Sequence, residues 1–306
     1  MKPYEVYQYL EGEKMTERDK KEINSKFWNK GKWDNFVVPF LPEDCKELSL
    51  VDMGCNAGLF LKLAEDKGFR DIIGVDSNLG AIERGLAWRD KNGSKYKMFN
   101  LEINNCIDEL PVVDYTVLAN AHYYFTINDF IYYLDELQYK TRYCIVVTDH
   151  KNHLNRCWAR ADIESIRGYF KNWEEIGFID EIDGTNDLAP RKLRSLCFKS
   201  KFTDKLPIKD LDSSNHVQDQ FYAELDKGTD FKNTRYYGII KKYRVNWSQE
   251  KLDEWFKERI KVYEAIKKDG LKKTIMIDSN NMILDGNHRY GMIRNLGYKN
   301  IFVRKV

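Results

Sequence analysis

The stretch from Leu48 to Asp76 reads LSLVDMGCNAGLFLKLAEDKGFRDIIGVD and decides the fold of this chain. An apolar run leads to Asp52, and a glycine turn from Gly54 to Gly58 follows it. An amphipathic segment and a second apolar run then lead to Asp76. This order of strand, glycine turn, helix, strand and acid predicts an α/β nucleotide-binding unit. Asp76 is placed to accept hydrogen bonds from a ribose diol, and the glycines let a ligand approach the backbone.

The spacing of the turn narrows the class of ligand. Dinucleotide sites usually read Gly-x-Gly-x-x-Gly and hold the pyrophosphate at a helix N-terminus, whereas Gly54 and Gly58 are separated by three residues. Asp52 adds a negative charge that would repel a pyrophosphate. A ligand with a cationic amino-acid end therefore suits the site better, and a generic nucleotide-binding unit is the alternative.

Two short motifs resemble those of a known enzyme family. Residues 52–58 (DMGCNAG) and 74–77 (GVDS) resemble the first and second motifs of the class I, Rossmann-like S-adenosylmethionine (SAM) methyltransferases. The resemblance implies a Rossmann-like sheet flanked by helices, with SAM as cofactor. The cofactor-binding residues that it implies are Asp52, Gly54, Cys55, Asn56, Gly58, Asp76, Ser77, Asn100, Leu101 and Asn120. Asn100 and Glu102 both remain candidates for the adenine contact.

The rest of this region alternates between strand-like and helix-like segments, as an α/β fold requires. We expect a helix from Asn78 to Arg89, with Asn78 as its candidate cap. The strands are expected at 96–101, 114–119 and 143–148, and a final hairpin would include 194–199.

The residues after the fourth predicted strand are candidates for the chemistry, because strand C-termini open onto the ligand crevice in such sheets. His122 is the candidate general base, and Tyr123 is placed with it as a catalytic residue. The alternative is a packed, hydrogen-bonding His122 with Tyr123 and Tyr124 forming the pocket wall. The Asn/Asp-Pro-Pro-aromatic signature of DNA amino-methyltransferases is missing here, which argues against a base amine as acceptor.

The C-terminal region has a different pattern. Ser248 is expected to cap a helix that ends near Gly270, and a strand, a turn and a second strand follow. Residues 283–290 (ILDGNHRY) resemble the ParB/sulfiredoxin-like superfamily, which predicts a small α+β domain. The resemblance implies a phosphate or nucleotide site for ATP, ADP or CTP, formed by Asp285, Gly286, Asn287, His288 and Arg289. The alternative is a structural appendage in which Asp285 and Arg289 pair to hold the turn.

These patterns divide the chain into four parts. We expect an N-terminal helical lid segment at 1–40, a SAM-binding domain at 41–201, a linker at 202–215 and the ParB/sulfiredoxin-like domain at 216–306. For the lid segment, which includes Phe27 and Trp28, the alternative is an amphipathic helix packed on the sheet.

Composition sets limits on partners and compartment. The net charge is +2, so no global field favours nucleic acid as a partner. No apolar run reaches the roughly 20 residues of a membrane helix, and the six cysteines show no metal-ligand spacing. We therefore expect a cytoplasmic protein with free thiols and no metal.

Three functions follow as hypotheses. The first is a SAM-dependent methyltransferase of a small-molecule or glycan acceptor, phosphorylated or not, with a tail that binds a phosphate or nucleotide. The second is a bifunctional methyltransferase–kinase. The third is a ParB-like, nucleic-acid-associated protein with a modification domain, which the near-neutral charge argues against.

Overall fold

The computed structural model describes residue 10 and residues 30–149, 162–180, 193–211 and 217–306, without the side chains of Asp149 and Val217. The chain divides into two compact units. The first runs to Lys201 except for Leu110–Val112, and the second contains Leu110–Val112 and Phe202–Val306. The predicted residues Phe27 and Trp28 lie outside the described part.

The first unit is built on a seven-stranded sheet with the order β3-β2-β1-β4-β5-β7-β6. Its strands are β1 (Ser49–Met53), β2 (Asp71–Asp76), β3 (Lys97–Asn100), β4 (Val113–Ala119), β5 (Thr141–Asp149), β6 (Trp173–Ile179) and β7 (Leu193–Ser200). The first five are parallel, and β7 lies antiparallel between β5 and β6. The order reverses between β1 and β4, which in a Rossmann-like sheet is where the ligand crevice opens.

Helices flank this sheet. They are α1 (Lys30–Phe36), α2 (Leu59–Lys67), α3 (Leu79–Asn92), α4 (Ile127–Leu137) and α5 (Ile163–Tyr169). The expected cap of α3 is confirmed, because the Asn78 side chain accepts a hydrogen bond from the Ala81 amide. The expected hairpin is also confirmed, with residues 173–179 forming its other strand.

The described part of the N-terminal segment belongs to the core of the first unit. Trp33 and Phe36 of α1 are buried, and the Trp33 ring meets the Phe60 ring edge to face with centroids 5.3 Å apart. Burying two large aromatic side chains stabilises the fold by several kcal/mol, about 1.5–3 kcal/mol each. For residues 30–36, the structure thus favours the packed amphipathic helix over a lid.

The second unit contains a four-stranded sheet with the order β10-β9-β11-β8. Its elements are β8 (Thr203–Pro207), α6 (Val217–Asp226), α7 (Arg235–Tyr243), α8 (Gln249–Asp269), β9 (Ile275–Ile277), β10 (Ile283–Asp285), α9 (Asn287–Asn295) and β11 (Asn300–Lys305). Ser248 caps α8 and left-handed Gly270 follows its end, as the sequence predicts. An aromatic-rich core that includes Phe221, Tyr222, Phe256 and Tyr263 holds the helices to the sheet.

The prediction of a linker at 202–215 is wrong for the first half of that range. Thr203–Pro207 form β8, which pairs antiparallel with β11, and a 3₁₀ turn at Ile208–Asp210 follows. Residues 212–216 lie outside the described part. β8 is an edge strand, so only one side needs backbone partners, and polar residues and a terminal proline are tolerated there. That is why its sequence looks like a linker.

Candidate functional site

The glycine turn of the first unit depends on left-handed backbone at three positions. Gly54 has φ +81°, Asn56 +49° and Gly58 +89°. A Cβ at Gly54 would lie 3.3 Å from the Cβ of Ala121, so glycine also allows the turn to approach the segment after β4. The amides of Gly54 and Cys55 both donate to the Val75 carbonyl, at 2.8 and 3.0 Å. The turn is thus fixed directly to the end of β2.

Asp76 lies at the C-terminal end of β2 and joins the turn to α3. One carboxylate oxygen accepts from the Asn56 amide at 2.8 Å, and the other accepts from the Asn78 amide at 2.8 Å. Its backbone carbonyl accepts from the Asn100 side chain at 3.0 Å and from the Leu101 amide at 3.2 Å. The structure therefore gathers the predicted residues of both motifs and of the end of β3 around one half-buried carboxylate.

Two other predicted cofactor residues differ in exposure. The Cys55 thiol is buried, so that residue offers its backbone and not its sulfur, while Ser77 is exposed. Glu102, the alternative to Asn100, is exposed and precedes the short helix Ile103–Asn105. The hydrogen bond from Asn100 to Asp76 favours Asn100 as the residue next to the ribose acid.

Asp52 is a buried carboxyl next to this site. It is 1% exposed, and its Oδ2 has no hydrogen-bond partner in the described ranges. Burial raises the pKa of Asp52 to about 8, the negative charge of Asp76 adds to the rise, and Lys32 opposes it. At neutral pH the group is therefore mostly protonated, which corrects the assumption from sequence that it is always charged. An arriving cation would favour the ionised form.

Asn120 follows β4 in a left-handed conformation, with φ +61°. Its amide is best oriented with the nitrogen donating to the Tyr123 hydroxyl at 2.6 Å and the oxygen accepting from Lys32 Nζ at 3.0 Å. Lys32 was not among the predicted cofactor residues, because it belongs to neither of the two motifs. The structure brings it to the end of β4, where its charge also acts on Asp52.

His122 lies in the short helix His122–Tyr124 and is completely buried. Its Nε2 is 3.2 Å from Thr148 Oγ1, and its ring packs edge to face on Tyr123 with centroids 4.5 Å apart. Nδ1 has no hydrogen-bond partner among the residues described. Burial lowers the pKa of His122 to about 3, so the imidazole is neutral and a weak base. The geometry favours the packed, hydrogen-bonding histidine over the general base.

Tyr123 and Tyr124 differ in exposure. Tyr123 is half-buried and its hydroxyl is held by Asn120, whereas Tyr124 is 65% exposed. Tyr123 is therefore the ordered polar group on the segment after β4.

The second candidate site begins at the turn between β10 and α9. Gly286 has φ +99° and precedes the first residue of α9, Asn287. Arg289 donates from Nη2 to Asp285 Oδ2 at 2.7 Å and from Nη1 to the Thr274 carbonyl at 2.9 Å. These bonds match the alternative in which Asp285 and Arg289 hold the turn.

His288 points into a cluster of polar and aromatic groups from other helices. Its Nε2 is 3.3 Å from the Tyr236 hydroxyl and 3.3 Å from Arg259 Nε, and its Nδ1 is 3.4 Å from the Tyr222 hydroxyl. Burial lowers the pKa of His288 to about 4, and the charge of Arg259 adds to this effect. His288 is thus neutral and does not supply a positive charge to an anion.

Arg259 and its neighbours were missed in the sequence, although a signal is present. Residues 247, 251, 255 and 259 alternate between tryptophan and a cation at four-residue spacing, which brings side chains together on one helix face. In the structure the Arg259 guanidinium lies 3.2 Å from the Trp255 ring centroid, and Lys251 lies 5.1 Å from that of Trp247.

The described residues form neither a candidate metal site nor a membrane-spanning helix. No group of three or more His, Cys, Asp and Glu side chains is arranged to hold a metal. None of the helices has the length and apolar character needed to cross a bilayer.

Comparison with known proteins finds likeness at the level of structure. No protein-family model matches the chain, and neither does any curated protein. Magnesium protoporphyrin IX methyltransferase (ChlM) from Synechocystis PCC 6803 with bound S-adenosylhomocysteine (SAH) is similar at TM-score 0.48 and 11% identity, covering 62% of this chain and 90% of that one. N-methyltransferase NodS from Bradyrhizobium japonicum WM9 gives 0.40 and 16%, covering 50% and 85%.

A SAM-dependent methyltransferase from Clostridium acetobutylicum ATCC 824 is also similar, with TM-score 0.39 and 11% identity, covering 55% of this chain and 95% of that one. These chains are structurally similar to ours, but at such values the comparisons carry no argument about activity or substrate. The function has to be argued from the geometry of the site.

Proposed function

We propose that the first unit is a SAM-dependent methyltransferase that acts on a small-molecule or glycan acceptor. The observation that carries this proposal is the Asp76 carboxylate, ordered by the Asn56 and Asn78 amides at the end of β2. Each carboxylate oxygen can accept two hydrogen bonds, so both have capacity for ribose hydroxyls. The left-handed turn gives room for the ligand beside the backbone.

The cationic end of the cofactor is assigned to Asp52. Its buried carboxyl is held neutral by desolvation, and a sulfonium or ammonium nearby would restore the charge. Lys32 is bonded to Asn120 and acts electrostatically on Asp52, and its ammonium suits the cofactor's carboxylate.

When bound, SAM supplies a methyl group on a positively charged sulfur, and transfer is an in-line displacement. The residues of this chain must align the acceptor and exclude water. We assign acceptor alignment to Tyr123, because its hydroxyl is fixed by Asn120 and its ring is backed by His122. His122 then acts through packing and not as a base.

The experiment that tests this proposal is calorimetry with SAM and SAH on the full chain. Asp76→Ala removes one or two charge-assisted hydrogen bonds to the ribose, about 1.5–3 kcal/mol each, so the affinity should fall roughly 10- to 150-fold for each bond lost. Asp71→Ala is the matched control, since Asp71 begins the same strand, is exposed and pairs with Arg70. Equal affinities in wild type and Asp76→Ala would refute the ribose assignment, and no binding of either compound would refute the methyltransferase.

We further propose that the second unit is a ParB/sulfiredoxin-like domain that binds a phosphate or nucleotide. The supporting observation is the half-buried Arg259 beside His288 at the start of α9. A thermal-shift panel with ATP, ADP, CTP and inorganic phosphate tests it, because a ligand at 100 times its Kd stabilises by about 2.7 kcal/mol. If none of these compounds shifts the melting temperature, the second unit keeps only a structural role.

A further inference from the structure

Arg259 is a cation without an acidic partner in the part of the chain that the structure describes. Its Nε donates to His288 Nε2 at 3.3 Å and its Nη1 donates to the Trp255 carbonyl at 3.0 Å. The guanidinium plane lies over the Trp255 ring at 3.2 Å. Desolvation lowers the pKa of Arg259, which is the effect of burying a charge without an opposite charge nearby.

His288 holds this guanidinium in place. An arginine Nε is always a donor, so Nε2 of His288 must be the acceptor and the ring proton must reside on Nδ1. Nδ1 then donates to the Tyr222 hydroxyl oxygen. The contacts with His288 and Trp255 engage Nε and Nη1 of Arg259, and Nη2 has no hydrogen-bond partner within the described segments.

A second cation converges on the same cluster. The Arg244 guanidinium lies 5.0 Å from the Trp247 ring centroid, and no carboxylate in the described ranges pairs with it. Both Arg259 and Arg244 act electrostatically on the Tyr236 hydroxyl, opposing the rise in its pKa that burial causes. Arg244 is exposed, so it offers an open charge at the edge of the cluster.

Gln218 gives an independent sign of an unfilled polar site. It is 5% exposed and its amide is hydrogen-bonded to Tyr236, yet its Oε1 lacks a partner among the described residues. Leaving a buried acceptor unsatisfied costs about 1–3 kcal/mol. A ligand hydroxyl reaching the cluster would satisfy it.

We propose that Arg259 and Arg244 bind the phosphate group of a phosphate-bearing ligand in the second unit, while Arg289 only holds the turn. The inference rests on the phosphate-binding role proposed above and names the residues that perform it. An arginine fork matches phosphate geometry, and the two guanidinium groups are positioned on tryptophan rings before any ligand arrives. Arg289, by contrast, already uses both terminal nitrogens on Asp285 and Thr274.

The test is calorimetry on the full chain with inorganic phosphate, ADP and a sugar phosphate such as glucose 6-phosphate. Arg259→Gln should weaken phosphate binding at least tenfold, and Arg244→Gln should weaken it severalfold. Arg294→Gln is the matched control, because Arg294 lies on α9 but is paired with Asp219 at 2.9 Å. It should leave the affinity unchanged. Tighter binding of ADP than of glucose 6-phosphate would identify a nucleotide, and the reverse a phosphorylated acceptor.

Arg289→Gln tests whether Arg289 only holds the turn or also binds the phosphate. It should lower the melting temperature while changing phosphate affinity less than threefold. If Arg289→Gln abolishes binding and both Arg259→Gln and Arg244→Gln retain it, the inference is wrong and the phosphate-binding role stands. If the wild-type chain binds none of the three compounds, both are wrong, and SAM binding by the first unit is unaffected. Arg244→Gln, at an exposed position, keeps the test valid if Arg259→Gln fails to fold.

Discussion

Asp52→Asn should have opposite effects on stability and on affinity for the proposed cofactor. In the unfolded chain an aspartate has a pKa of about 3.9, and burial raises the pKa of Asp52 to about 8. The carboxyl therefore takes up a proton on folding between these values. Its contribution to stability is fully present below about pH 4 and is lost as pH rises towards 8, by about 1.4 kcal/mol per pH unit.

Asparagine at this position removes that dependence. At pH 7 the ionisation penalty amounts to roughly 4 kcal/mol as an upper limit, so Asp52→Asn should raise stability by a few kcal/mol. At pH 4 the two chains should have nearly equal stability. Chemical denaturation of the ligand-free proteins at several pH values between 4 and 8 measures this difference.

Cofactor affinity should change in the other direction. A cation next to Asp52 favours the carboxylate, so binding at pH 7 should release up to about one proton from this group. SAM affinity of the wild type should rise with pH towards 8 and then level off. In Asp52→Asn the affinity should be lower, and this part of the pH dependence should disappear.

Calorimetry in buffers of different ionisation enthalpy counts the protons released. The comparison with Asp52→Asn subtracts ionisations of the ligand itself, which both proteins share. Asp66→Asn serves as control, because Asp66 is an exposed acid paired with Lys62 on α2. Equal proton release by wild type and Asp52→Asn would refute the assignment of Asp52 to the cationic end of the cofactor.

Two further predictions concern His122 and two glycines on helices. His122→Gln should lower the melting temperature, because it removes a buried ring bonded to Thr148. The pH–rate profile between pH 5 and 8 should stay unchanged. If the variant instead loses an ionisation near neutral pH, His122 is the general base after all. Gly85→Ala should destabilise the fold by about 1–3 kcal/mol, because the new Cβ would lie 2.5 Å from the Ala57 carbonyl oxygen. Gly168 lies on α5, and a Cβ there would meet nothing within 4 Å, so Gly168→Ala should raise the free energy of unfolding by up to about 1 kcal/mol. Denaturant unfolding of both variants measures the two effects.

The sequence predicts those parts of the fold that depend on neighbours along the chain. The caps at Asn78 and Ser248, the left-handed turn and the acid ending β2 are local features with local signals. The central strands are apolar because helices cover the sheet, and such runs are visible without a structure.

What the sequence could not give depends on distant partners. β8 is recognisable only through its pairing with β11, almost a hundred residues later. The neutral state of His122 follows from complete burial, which no local pattern reports. His288 gains its role from Tyr222 and Tyr236 on two other helices, so the motif around it suggested a cation where the structure has a neutral ring.

The positions of the cysteines make local unfolding of the first unit measurable by thiol labelling. All five described thiols, Cys45, Cys55, Cys106, Cys144 and Cys197, are buried, and burial raises the pKa of each. A thiol reagent should therefore modify them at a rate set by local unfolding and not by intrinsic reactivity. The second unit contains no cysteine. Labelling of these five thiols, read out by mass spectrometry, would thus measure fluctuations of the first unit separately from those of the second, even in the intact chain.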